Sequence, residues 1–136
     1  MTATMWLERR LRSDEAGPVD YDASGHVVTA AANALRWHPG NRAQRRALFL
    51  IVHWGYGSAV GIAYPPLLRS LCDDRLATSV FYVGCQSMAF TLFPTLGETP
   101  PPWRWRGDVL ASSLAQHAVY AISVAATAKL AASSRS

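Results

Sequence analysis

Three runs of this chain carry no charged side chain: Ala47–Leu68, Leu76–Gly97 and Val109–Ala128, of 22, 22 and 20 residues. A helix rises about 1.5 Å per residue, so about 20 residues cross a hydrocarbon core about 30 Å thick. Lipid offers the backbone no hydrogen-bond partner, so each run must satisfy its own amides as a helix. Charges bracket the runs at Arg45, Arg46, Arg69, Arg75, Asp108 and Lys129. A soluble three-helix bundle would instead need a polar stripe at helical spacing on every segment. In 76–97 the polar residues are mostly Thr and Ser, which bond back to their own helix and tolerate lipid. The sequence therefore predicts an all-α integral membrane protein. It has three transmembrane helices (47–68, 76–97 and 109–131) and an N-terminal interfacial amphipathic region.

Composition divides the chain in the same way. Residues 1–46 hold seven arginines and most of the acids and form a polar, amphipathic membrane-surface region. Residues 47–131 are rich in Ala, Leu, Val, Ser and aromatics and form the three-helix transmembrane domain. The net charge of +4 is modest, and the basic residues sit beside the apolar runs. That pattern fits membrane topology and lipid headgroups, and it argues against nucleic acid as a partner. No basic stripe is interleaved with aromatics in the manner of single-strand binders. Met1–Glu15 has no apolar core of the kind a secretory signal peptide needs, so the first span is expected to act as its own insertion signal. Cys72 and Cys85 give neither a CxxC pair nor metal-ligand spacing and read as plain small residues.

Along the chain, Met5–Arg12 is amphipathic, with Trp6, Leu7 and Leu11 on one side and arginines on the other. Ser13–Tyr21 contains Gly17-Pro18 and reads as a linker. Ser24 is the expected cap of a helix from His26 to Trp37, stopped by His38-Pro39-Gly40 and lying along the interface. Asn41 is the expected cap of the first span, which Pro65-Pro66 should end at Tyr64, leaving Leu67–Arg75 as a tight connection. The second span should end near Pro94 and give way to a stiff Pro-rich loop. Asp108 is the expected cap of the third. Trp37, Trp103 and Trp105 are expected as interfacial anchors, with Arg104 and Arg106 beside them at headgroup level. The arginines at 42, 45, 46, 104 and 106 favour a cytoplasmic N-terminus, while Arg69, Arg75, Lys129 and Arg135 dilute that bias.

Two features inside the spans bear on function. Gly57-x-x-x-Gly61 opens a groove on the first span, and Ala111, Ala115, Ala118 and Ala121 recur at spacings of three and four on the third. Small residues let helices approach closely, so both seams are expected as helix-packing interfaces, within the chain or with another subunit. Embedded polar residues are the second feature, and they are costly in lipid unless paired. His53 precedes its span midpoint by about four to five residues, roughly 7 Å, and His117 precedes its own by about three, roughly 4–5 Å. Spans one and three run the same way, so His53, Gln86 and His117 are candidates for an intramembrane polar cluster. Its simplest reading is interhelical hydrogen bonding; a haem iron or other metal between the two imidazoles, or a proton relay, are the alternatives. The spans contain no carboxylate for a relay. No P-loop, dinucleotide fingerprint, HExxH or hydrolytic triad is present, so no catalytic residue and no cofactor are assigned.

His53-Trp54-Gly55-Tyr56-Gly57, then Gly97-x-Thr99-Pro100-Pro101, then His117-x-x-Tyr120 follow one another in order. Over about residues 44–130 the chain thereby resembles the YagU-like group of small bacterial inner-membrane proteins, whose function is not established. The resemblance implies a multi-pass protein of the bacterial inner (cytoplasmic) membrane. Members of that group resemble four-span proteins with a further hydrophobic helix on the N-terminal side, where this chain has an arginine-rich tail. The group's orientation would place residues 1–46 outside, against the arginine count. A partner is expected over the surface that the extra helix would fill.

The expected role is thus a non-catalytic accessory or structural subunit of a larger membrane protein complex, its partners being other membrane subunits and the bilayer. The alternatives are a small haem- or metal-binding redox protein using His53 and His117, and a homo-oligomeric channel or transporter.

Overall fold

The computed structural model describes residues 23–134. The stretch Met5–Arg12, the linker 13–21 and Arg135 lie outside the described residues. Within them the chain forms α1 (Ala23–Leu35), α2 (Arg42–Ile62), α3 (Tyr64–Leu71), α4 (Asp74–Leu96), a 3-10 turn (Pro102–Arg104) and α5 (Gly107–Ser133), with no strand. Three helical stretches are long and apolar enough to cross a membrane: Arg42–Leu71, Asp74–Leu96 and Gly107–Ser133, of 30, 23 and 27 residues. The fold is all-α, as the charge-free runs require.

Local chemistry sets most boundaries. The Asn41 side chain accepts a hydrogen bond from the Gln44 amide at 2.9 Å, and the Gln44 side chain accepts one from the Gly40 amide at 2.7 Å. These two bonds start α2 at the expected Asn41 cap. The Asp73 carboxylate accepts the Leu76 amide at 2.7 Å and starts α4.

Three expected boundaries move. Pro65-Pro66 does not end the first span in a loop. Both prolines occupy the first turn of α3, where their missing amides would go unused, so Leu67–Leu71 is helical. Cys72, in the left-handed region at φ 52°, then ends α3. The second span ends as expected: α4 closes at Leu96, two residues beyond Pro94. Asp108 is not a cap: α5 begins at Gly107, and Asp108 in its first turn pairs with Arg106 at 3.2 Å. Finally, α1 stops at Leu35, two residues before its expected end at Trp37. Arg36 turns left-handed at φ 51°, and the Trp37 and Arg36 amides donate to the carbonyls of Ala32 and Asn33. This closed end satisfies the carbonyls before His38-Pro39-Gly40 is reached.

Two clusters hold the helices together. At one end Tyr64, Ala77, Phe81, Cys85, Ala121 and Ala125 join α3, α4 and α5. The Tyr64 hydroxyl lies 2.9 Å from Thr78 Oγ1, whose own proton goes to the Asp74 carbonyl at 2.7 Å, so Tyr64 is the donor. Asp74 and Lys129, near the start of α4 and the end of α5, meet at 2.5 Å. At the other end α1 wedges between α2 and α4. Val28, Ala31 and Ala32 pack on Leu48, with Phe49 and Val52 against them. Asn33 donates to the Leu96 carbonyl at 2.7 Å, and Thr99 Oγ1 lies 3.2 Å from His26 Nδ1. The short helix thus uses its apolar side against spans one and two rather than against lipid alone.

The wedge depends on a close approach at Gly97, where a Cβ would lie 2.8 Å from the Phe93 carbonyl oxygen and 3.3 Å from that of His26. Gly97→Ala is expected to destabilise the fold by about 1–3 kcal/mol. At Gly84 a Cβ would meet nothing within 4 Å. Gly84→Ala is therefore expected to leave stability unchanged or raise it by up to about 1 kcal/mol. Unfolding of both variants in mixed micelles checks the contrast.

Candidate functional site

The embedded polar residues gather around Ser113. This residue lies on the α4-facing side of α5 and is almost wholly buried. Its hydroxyl accepts a hydrogen bond from Gln86 Nε2 at 3.2 Å, and its carbonyl accepts one from His117 Nδ1 at 2.8 Å. A carbonyl can only accept, so the His117 proton sits on Nδ1. Gln86 and His117 are thus linked through Ser113 and not to each other. Gln86 is 5% exposed, and its Oε1 is buried without a donor.

His53 takes a different place. Its ring stacks on Phe49, centroids 5.2 Å apart and 21° between planes, and meets Trp54 edge-on at 5.9 Å. No hydrogen bond joins it to Gln86 or His117. The direct His–Gln–His contact expected from depth alone does not form. The two histidines do stand at a similar level along the bundle. Tyr120 donates across the gap to the Gly57 carbonyl, and one turn away on each helix stand His117 and His53. Beside them the Tyr56 hydroxyl lies 3.7 Å from Met88 Sδ, and Gln116 donates to Ser112 at 3.1 Å.

The small-residue seams divide into inner and outer halves. A Cβ at Gly61 would lie 3.4 Å from the Tyr120 hydroxyl and 3.8 Å from Val124, so Gly61 belongs to the α2–α5 contact. At Gly57 and Gly55 a Cβ would meet nothing within 4 Å. On α5, Ala121 and Ala125 are buried in the core, Ala118 is half-buried, and Ala111 and Ala115 are exposed.

The tryptophans also part ways. Trp103 is 83% exposed and Trp37 is 47% exposed. Trp105 turns inward. It donates from Nε1 to the Pro100 carbonyl at 2.6 Å and meets Phe90 edge-on at 5.7 Å, which pins the Pro-rich loop to α4. Both cysteines are free, Cys72 exposed and Cys85 buried. Among the described residues no group of three or more His, Cys, Asp or Glu side chains is arranged to hold a metal ion.

Sequence reasoning missed Ser113 as the hub, and the link from Tyr120 to Gly57. The i, i+4 spacing of Ser113 and His117 was the available signal. The rotation that turns Ser113 toward Gln86 is set by packing and leaves no trace in spacing.

These features define a multi-pass α-helical membrane protein with a buried polar link between its second and third spans. Comparison with family models, with curated proteins and with solved structures finds no match.

The Ser113 link is asymmetric. Ser113→Ala leaves the buried Gln86 amide without any partner and should cost about 1–3 kcal/mol. Gln86→Leu removes the orphan oxygen together with the donor, and the Ser113 hydroxyl can turn back to its own helix, so the change should be smaller. A larger loss in Gln86→Leu than in Ser113→Ala, measured by unfolding in micelles, would contradict this arrangement.

Proposed function

We propose that the chain is a non-catalytic accessory or structural subunit of a larger complex in the bacterial inner membrane. The observation that carries this reading is the outer half of each small-residue seam. A Cβ at Gly55 or Gly57 on α2 would meet nothing within 4 Å, and Ala111 and Ala115 on α5 are exposed, so small side chains there face away from the described chain. Small residues are favoured where helices approach closely, because missing side chains let backbones and flanking side chains make contact. Lipid gives no comparable reason to line a face with them. Beside these positions stand exposed Trp54, Ile51 and Ile62 on α2 and Leu114 and Ile122 on α5, which supply a rim of large side chains. The polar residues support the same reading. Gln86 bonds Ser113 across the α4–α5 contact, and His117 bonds the Ser113 carbonyl within α5, as structural groups do.

The test is gentle purification of the tagged chain from its native membrane, with the stoichiometry of what accompanies it. Ala115→Leu is expected to lose the accompanying subunit while the isolated chain keeps its stability. Gly61→Leu is expected to lose both, since it drives α2 off Tyr120 and Val124. A monomeric chain without stoichiometric partners, unchanged by Ala115→Leu, would contradict the proposal.

A further inference from the structure

The two ends of the described bundle differ in charge. At the end formed by the start of α2, the end of α4 and the start of α5 stand Arg36, Arg42, Arg45, Arg46, Arg104 and Arg106, against Glu98 and Asp108. At the other end Arg69, Arg75 and Lys129 stand against Asp73 and Asp74. From this asymmetry we infer that the arginine end is a binding surface for anionic phospholipid headgroups, centred on Arg42, Arg45 and Arg46.

Three observations combine. First, these arginines are exposed, and among the described residues no acidic side chain pairs with them; at this end only Arg106 has an ion-pair partner, Asp108. Second, Arg42, Arg45 and Arg46 occupy the opening of α2, with no acid in its first turn. A helix N-terminus carries partial positive charge, so cations there are unfavourable unless an anion is brought in. Arginine's planar fork matches a phosphate's paired oxygens. Third, exposed Trp103 and Trp37 stand at the same end, beside Arg104 and Arg36. Indole rings settle at headgroup level, which places the arginines among lipid phosphates rather than out in water. An acidic protein would satisfy the charge but would not account for the tryptophans.

The surface is distinct from the mid-span small-residue faces of the accessory-subunit reading and does not rest on it. The α1 wedge lies at this end, so bound headgroups would sit beside the turn that joins α1 to α2.

The test uses the full chain in nanodiscs of equal phosphatidylcholine and phosphatidylglycerol, with retained lipid read by native mass spectrometry. Phosphatidylglycerol is expected to be enriched around the unmodified protein, and the enrichment should fall several-fold as salt is raised toward 1 M, where charge attraction is screened within about 3 Å. Each basic side chain near an anionic surface contributes a factor of about five. The combined Arg42→Gln, Arg45→Gln and Arg46→Gln variant should therefore lose most of the enrichment. The corresponding Arg-to-Lys variant should keep much of it, and Arg69→Gln with Arg75→Gln should keep nearly all. Equal retention of the two lipids by the unmodified protein would overturn the inference. So would equal loss in the Arg69 and Arg75 variant, or displacement by millimolar inorganic phosphate, which would assign the surface to a free anion.

Discussion

Hydrocarbon cannot hydrogen-bond, and everything else in this molecule follows from that. Each charge-free run must close its backbone bonds internally, so it becomes a helix; each helix then places its charges where the run ends. With lipid as solvent, apolar burial no longer drives helices together, and packing falls to shape and to the few polar bonds. The two buried clusters are accordingly small. Much of each span's surface is left uncovered by protein. Tyr64, Gln86, Ser113 and Tyr120 supply hydrogen bonds that register one helix against the next.

Helix α1 shows how a short segment contributes to such a bundle. Its 13 residues are too few to span, yet Val28, Ala31 and Ala32 match Leu48 while Asn33 reaches the last turn of α4. The wedge holds spans one and two at the end where the α3 cluster does not act. At the opposite end Tyr64, Phe81 and Asp74 with Lys129 do the same for α3, α4 and α5. The two spans that run parallel, α2 and α5, meet through the Tyr120 side chain rather than along a continuous close seam. That divided seam is why half of each small-residue stripe faces outward, and why a neighbouring helix is the occupant we propose.

The spans and the Asn41 cap were legible in sequence because both rest on local rules: charge-free length, and a side chain that accepts an amide three residues on. The misplaced boundaries also have local causes. Pro65-Pro66 carries the same composition whether it stops one helix or opens the next, and only the turn at Ala63 distinguishes them. Arg36 closes α1 in the left-handed region without the glycine that usually marks such an end. The site was less legible. Depth placed His53, Gln86 and His117 at comparable levels, but which way each side chain turns depends on how the helices rotate against one another. Trp103 and Trp105 illustrate the same limit: two indoles in one Trp-Arg repeat, one facing out and one tied to Pro100.

Topology is the most direct measure of the account. Native Cys72 lies exposed in the turn between α3 and α4, and Trp103 lies exposed at the arginine end. A membrane-impermeant maleimide applied to sealed, uniformly oriented membrane vesicles separates the two sides. In a Trp103→Cys variant, one of the two positions should label before lysis and the other only after it, while buried Cys85 labels in neither case without detergent. Labelling of both Cys72 and position 103 from the same side, or ready labelling of Cys85 in the intact membrane, would contradict a three-span protein.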